Sequence, residues 1–239
     1  MEIKRNILFS IDDVIKSLLW LEKSKSDSIF ESYTFEFCKW LYDKYGIATT
    51  CNCLYSDGIN NLSVISKRFR KEFEENSDWL KFSFHGWDFE KSYEQSNYQD
   101  AFNDISVVHS ELKRICGKKS LTNVVRTHFF SGSDEAVEAW IDAGIIQILT
   151  ADDNRNGKGI NYNLNDRDIS NLATQHAIFK SGICFRKTDI RVENIFLKKQ
   201  KCMCCENSDT IVVFTHEKYL NEDWMRPIVD EIMNSIRNS

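Results

Sequence analysis

The chain has 239 residues, 42% of them hydrophobic and 28% charged, and a formal net charge of −5. These proportions are those of a globular protein and exclude a wholly disordered chain. Lys and Arg (31) are outnumbered by Asp and Glu (36), which argues against a nucleic-acid binder, and no apolar run approaches the ~18 residues of a membrane span.

The first apolar stretch, Ile3 to Ile11, is too short for a signal peptide and reads as a strand. We therefore expect a cytoplasmic protein whose eight cysteines are reduced. Val14 to Leu21 looks helical. Ser28 to Tyr45 carries Ile29, Tyr33, Phe37, Trp40 and Leu41 at helical spacing, with Gly46 as its stop. Ile47 to Tyr55 is a strand, Leu62 to Phe73 a basic amphipathic helix, and Leu80 to Phe84 a short strand. Tyr98 to Cys116 places Ala101, Ile105, Val108, Leu112 and Ile115 on one stripe. Leu121 to Val125 is a strand, Ser133 to Gly144 a capped helix, and Ile145 to Leu149 a strand. Asp166 to Ala177 can form a helix. Ile183 to Arg186 and Ile190 to Phe196 are ambiguous. Thr210 to Thr215 is a strand, and Glu222 to Ile236 a final helix.

Strand and helix alternate from end to end, which predicts a parallel α/β fold. No composition break divides the chain, so residues 1–239 are expected to form one domain. About seven strand–helix units fit either a barrel or a doubly wound sheet.

In such folds the site lies at the C-terminal ends of the strands. Asp12 and Asp13 follow the first apolar run, and His85 ends another. Arg126 and His128 follow Val125, Asp152 and Asp153 follow Leu149, and His216 and Glu217 follow Thr215. Each has a structural explanation of its own, such as a helix cap for Asp12 and Asp13 or a hydrogen-bonded core position for His85. Jointly they point to metal-assisted hydrolysis. A Zn²⁺-like ion takes His nitrogen and Asp oxygen and leaves a position for water. A free carboxylate can take the water's proton, and a separate His can protonate the leaving group.

These residues, in this order, resemble the motifs of the polysaccharide deacetylases of the NodB-homology class, carbohydrate esterase family four. The T-F-D-D-G motif corresponds to Phe9-Ser10-Ile11-Asp12-Asp13-Val14, and H-[ST]-x-x-H to His85-Gly86-Trp87-Asp88-Phe89. R-x-P-Y corresponds to Arg126-Thr127-His128-Phe129, and the strand ending in I-x-L-H to Ile211-Val212-Val213-Phe214-Thr215-His216. The resemblance implies a distorted (β/α)₇ TIM-like barrel. It implies a divalent ion, expected to be Zn²⁺, and an N-acetylated sugar as substrate, expected to be a polysaccharide precursor. Asp12 is then the general base, Asp13 and His85 are metal ligands, Arg126 orients Asp12, and His216 is the catalytic acid.

Phe89 stands where the family has its second metal-binding His, so the third ligand must come from elsewhere. Asp88 is one candidate. His128 is favoured, because imidazole is the commonest ligand for such metals. His109, beside an apolar helical stripe, is more consistent with a structural role. Glu217 is expected to tune His216 or touch substrate, and Arg191 to bind substrate. The alternative functions are a non-catalytic carbohydrate-binding relative and a two-metal hydrolase using Asp152 or Asp153. Cys202, Cys204 and Cys205 form a C-x-C-C cluster that matches no usual zinc spacing.

Overall fold

In the computed structural model, which describes residues 5–152, 162–199 and 208–237, the first apolar run forms strand β1 (Asn6–Val14). It sits at the centre of a five-stranded parallel sheet. On one side lie β2 (Thr49–Leu54) and β3 (Leu80–Gly86). On the other lie β9 (Thr210–His216) and the short β8 (Ile190–Arg191). Phe9, Ile11 and Val213 are almost wholly buried, as expected of parallel strands covered on both faces.

A second sheet has the order β4 (Val124–Val125), β5 (Gln147–Leu149), β7 (Ile183–Arg186), β6 (Ala177–Lys180). A parallel bridge between Phe82 and Leu121 brings its first edge beside β3. Among the described residues the ladders thus make two sheets rather than one continuous ring, and the expected α/β alternation holds.

Eight helices accompany the described strands. They are α1 (Lys16–Lys23), α2 (Tyr33–Tyr45), α3 (Arg70–Glu75), α4 (Tyr98–Cys116), α5 (Asp134–Asp142), α6 (Asp166–Gln175), α7 (Val192–Leu197) and α8 (Met225–Arg237). The α4 stripe is buried as its spacing predicts. Asn97 and Ser133 cap α4 and α5 by accepting from Asp100 N and Ala136 N. Gly46, at φ 69°, ends α2 in the left-handed region that glycine tolerates.

Three segments differ from expectation. Leu62 to Phe73 is not one helix but a 3₁₀ turn, Leu62–Val64, followed by α3. The Arg114 guanidinium takes the Leu62 and Ile65 carbonyls, and Ser66 N donates to Glu22, so a continuous helix would forfeit these tertiary bonds. Ile190 to Phe196 is two residues of strand running into α7. Ala177–Lys180 forms an antiparallel hairpin with β7 through Ser181 and Gly182, both at positive φ, a geometry suited to a two-residue hairpin turn.

Candidate metal centre

Adjacent residues of a regular strand point to opposite faces, yet both Asp12 and Asp13 reach the same polar region. The backbone explains this. The ladder between β1 and β2 slips between Ile11 and Val14, and Asp13 has φ 63°. Asp tolerates the left-handed region better than most residues, and irregularities of this kind re-aim side chains at strand ends. Positive φ recurs at Phe129 and Phe130, directly after His128 at the end of β4.

Asp13, His85 and His128 converge. One donor atom of each lies within 4.8 Å of the others. His85 Nε2 and His128 Nδ1 are each 3.2 Å from Asp13 Oδ1 and 3.4 Å from one another. The remaining ring nitrogens are engaged. His85 Nδ1 donates to the Arg126 carbonyl at 2.5 Å, and His128 Nε2 to the Phe89 carbonyl at 3.1 Å. A carbonyl oxygen can only accept, so His85 Nδ1 and His128 Nε2 carry protons, and in the neutral imidazoles His85 Nε2 and His128 Nδ1 turn lone pairs toward Asp13. Asp13 Oδ1 is buried and accepts no aligned hydrogen bond, despite the two close ring contacts. A carboxylate facing two imidazole nitrogens suits a cation, and far-side hydrogen bonds are the usual means of orienting metal-binding imidazoles.

The electrostatics agree. Burial by itself would raise the Asp13 carboxyl. The imidazoles of His128 and His85 outweigh it and hold that carboxyl well below the usual carboxylate range. Burial would lower His85, but the charges of Asp12 and Asp13 outweigh it and raise it. The cluster attracts positive charge at both partners.

Asp12 has a different setting. It is 1% exposed. Its Oδ1 accepts from Asn52 Nδ2 at 2.7 Å and from Arg126 Nη1 at 3.2 Å. Its Oδ2 is 3.5 Å from Arg126 Nη1. Arg126, itself wholly buried, also donates to Ser10 Oγ and Thr188 Oγ1 at 2.5 and 2.8 Å, and its guanidinium carbon lies 4.2 Å from the Phe214 ring centre. Asp12 is the register partner of His216 on β9, so the acid and the imidazole stand side by side.

His216 Nδ1 bonds Glu193 Oε1, and Glu193 Oε2 accepts from Thr215 Oγ1 at 3.0 Å. Glu193, 4% exposed at the start of α7, is therefore the carboxylate that holds His216. The alternating charges from Thr188 to Glu193 mark this segment in the sequence, but nothing there pairs Glu193 with His216. Glu217, expected to tune His216 or touch substrate, does neither. It is buried, and accepts from the backbone of Ile15, Lys16 and Ser17 at 2.9–3.2 Å and from the Thr34 hydroxyl. It satisfies the free N–H groups at the start of α1.

Asp88 is outside the metal-competent group, and its carboxylate accepts from the backbone of Glu90 and Lys91. His109 lies on α4 with Nε2 buried and unpartnered, and burial lowers it to about 4. Arg191 pairs with Asp152 at 2.5 Å and lies 4.8 Å from the Phe214 ring. Asp153, Cys202, Cys204 and Cys205 fall outside the described residues. Of the aromatics after His85, Trp87 stacks on Tyr55, Tyr93 is buried with its hydroxyl on Asp104, and Tyr98 stacks on Phe102. Phe89 approaches His128, with ring centres 6.3 Å apart. So does Phe129, 44% exposed and 4.1 Å from it.

No helix among the described residues is long and apolar enough to cross a membrane. No family model matches the sequence, and no curated protein matches it. Solved structures do. A chitin deacetylase from the fungal pathogen Colletotrichum lindemuthianum superposes with a TM-score of 0.53 at 12% identity, over 98% of this chain and 81% of that one. A structure from Mycobacterium smegmatis assigned to the polysaccharide deacetylases gives 0.55 at 8% identity, over 97% and 83%. A family 4 carbohydrate esterase from Bacillus anthracis gives 0.45 at 11% identity, over 98% and 77%. At these identities the likeness concerns architecture: the chain has the fold of the polysaccharide deacetylases.

Proposed function

We propose that the protein is a metal-dependent carbohydrate deacetylase, which hydrolyses the C–N bond of an N-acetylated sugar, a polysaccharide precursor, to acetate and a free amine. The observation that carries this reading is the convergence of ligand-capable atoms from Asp13, His85 and His128, all within 4.8 Å of one another. Nitrogen and carboxylate donors with a remaining open position suit one divalent ion, with Zn²⁺ the first to test. When bound, such an ion lowers the pKa of a water and polarises a carbonyl oxygen.

The chain's own groups supply the rest. Asp12 is the general base and takes the proton on Oδ2, the oxygen with only one long contact. Arg126 pairs with Asp12 at 3.2 Å and supplies its cationic partner. His216, with Nδ1 held by Glu193, presents Nε2 as the acid that protonates the departing amine. Phe129 offers an exposed ring on which a sugar can stack.

The test is acetate release from N-acetylated sugars by protein loaded with Zn²⁺ or Co²⁺. Wild type releases acetate. Asp12→Asn keeps the metal and loses about 10²–10⁴-fold in kcat, the usual contribution of a positioned base. Wild-type protein that holds metal and binds N-acetylated sugars without releasing acetate would replace this reading by the carbohydrate-binding one.

A further inference from the structure

Asn52 is a buried polar side chain that the chemistry above leaves without a task. It sits on β2 between Cys51 and Cys53, which are fully buried, and is itself 1% exposed. Alternation along the strand turns the two thiols to one face and the amide to the other, toward β1 and Asp12. Burying an amide costs free energy unless it is hydrogen-bonded, and Asn52 Nδ2 donates to Asp12 Oδ1 at 2.7 Å, the shortest bond the carboxylate makes.

Arg126 alone does not fix the orientation of that carboxylate. The nitrogen facing Asp12, Nη1, is shared with Ser10 Oγ and lies 3.2 and 3.5 Å from the two carboxylate oxygens. Rotation about the last torsion of Asp is soft and roughly two-fold, so a single donor lying between both oxygens leaves that rotation poorly determined. A second donor on Oδ1, from another strand, determines it.

We propose that Asn52 is a positioning residue for the deacetylation assigned above, a claim that rests on that reading. It locks the plane of the Asp12 carboxylate so that Oδ1 is held and Oδ2 receives the proton. A misplaced reacting group costs up to about a hundredfold in rate.

The test uses Asn52→Ala and Asn52→Leu, each loaded with Zn²⁺ and compared with wild type. The expected result is a fall in kcat of about ten- to a hundredfold at unchanged KM and unchanged metal content. High-resolution crystal structures of the variants should show the Asp12 carboxylate turned so that both oxygens lie on Arg126. An Asp12 carboxylate that keeps its wild-type orientation in both variants overturns the proposal, whatever the activity. So does loss of bound metal together with kcat, which would make Asn52 a general structural element. If wild-type protein deacetylates no sugar, the functional reading fails, and the carboxylate orientation alone still decides the role of Asn52.

Discussion

Asp12 and Asp13 are neighbours in sequence and opposites in setting. Asp12 stands among polar partners, with Asn52, Arg126, Ser10 and Thr188 all buried around it. Asp13 faces two imidazoles whose far nitrogens are engaged by carbonyls, and its Oδ1 accepts no aligned hydrogen bond. A buried network with its partners present is stable as it stands. A buried carboxylate without an aligned donor is stabilised when a cation joins it. One slipped residue in β1 thus divides the strand end into a carboxylate held by donors and a carboxylate that faces two imidazoles.

The contrast can be broken from either side. The largest effect is expected at the open side: Asp13→Ala, His85→Ala or His128→Ala should each take bound metal from about one ion per chain to none and bring acetate release to background. On the closed side, Arg126→Met should leave Asp12 buried without its cationic partner. Removing one partner of a buried pair costs about 3–5 kcal/mol, readable as a lower urea midpoint at unchanged slope.

Away from the site, His109 gives a pH-dependent test. Its folded-state value is lowered to about 4 by burial, whereas an unfolded His titrates near 6.5. The unfolded chain therefore binds the extra proton first. The stability is fully present above about pH 6.5 and is lost as pH falls toward 4. His109→Leu should reduce the drop in unfolding free energy between pH 7.5 and pH 5 by about 2 kcal/mol. Smaller still is Glu217→Gln, which keeps one acceptor but removes the charge facing three N–H groups at the start of α1. Its cost should be about 1–2 kcal/mol, that of a lost helix cap.

These residues also mark how far the sequence could be read. Asp12, Asp13, His85, Arg126, His128 and His216 were legible because an ionisable group directly after an apolar run is conspicuous, and the strand ends of a parallel sheet meet in space. The geometry that selects His128 over Asp88 was not legible. It depends on positive φ after His128 and on the local turn that engages Asp88. Glu217 was misread because a sequence neighbour of His216 need not point the same way; its carboxylate turns under α1. The partners of Glu193 and Asn52 were not legible for another reason. Each of these two is a single buried polar residue, one in an ambiguous segment and one between two core cysteines. Only the folded chain shows what each touches. In the same way, tertiary bonds from Arg114 and Glu22 override the helical spacing of Leu62 to Phe73.

The most direct test is the metal content of purified protein after loading with Zn²⁺, compared among wild type, His128→Ala and Asp88→Ala, with folding checked by circular dichroism. The account predicts about one ion per chain in wild type and Asp88→Ala, and none in a folded His128→Ala. Full metal content in His128→Ala, or its loss in Asp88→Ala alone, would contradict it.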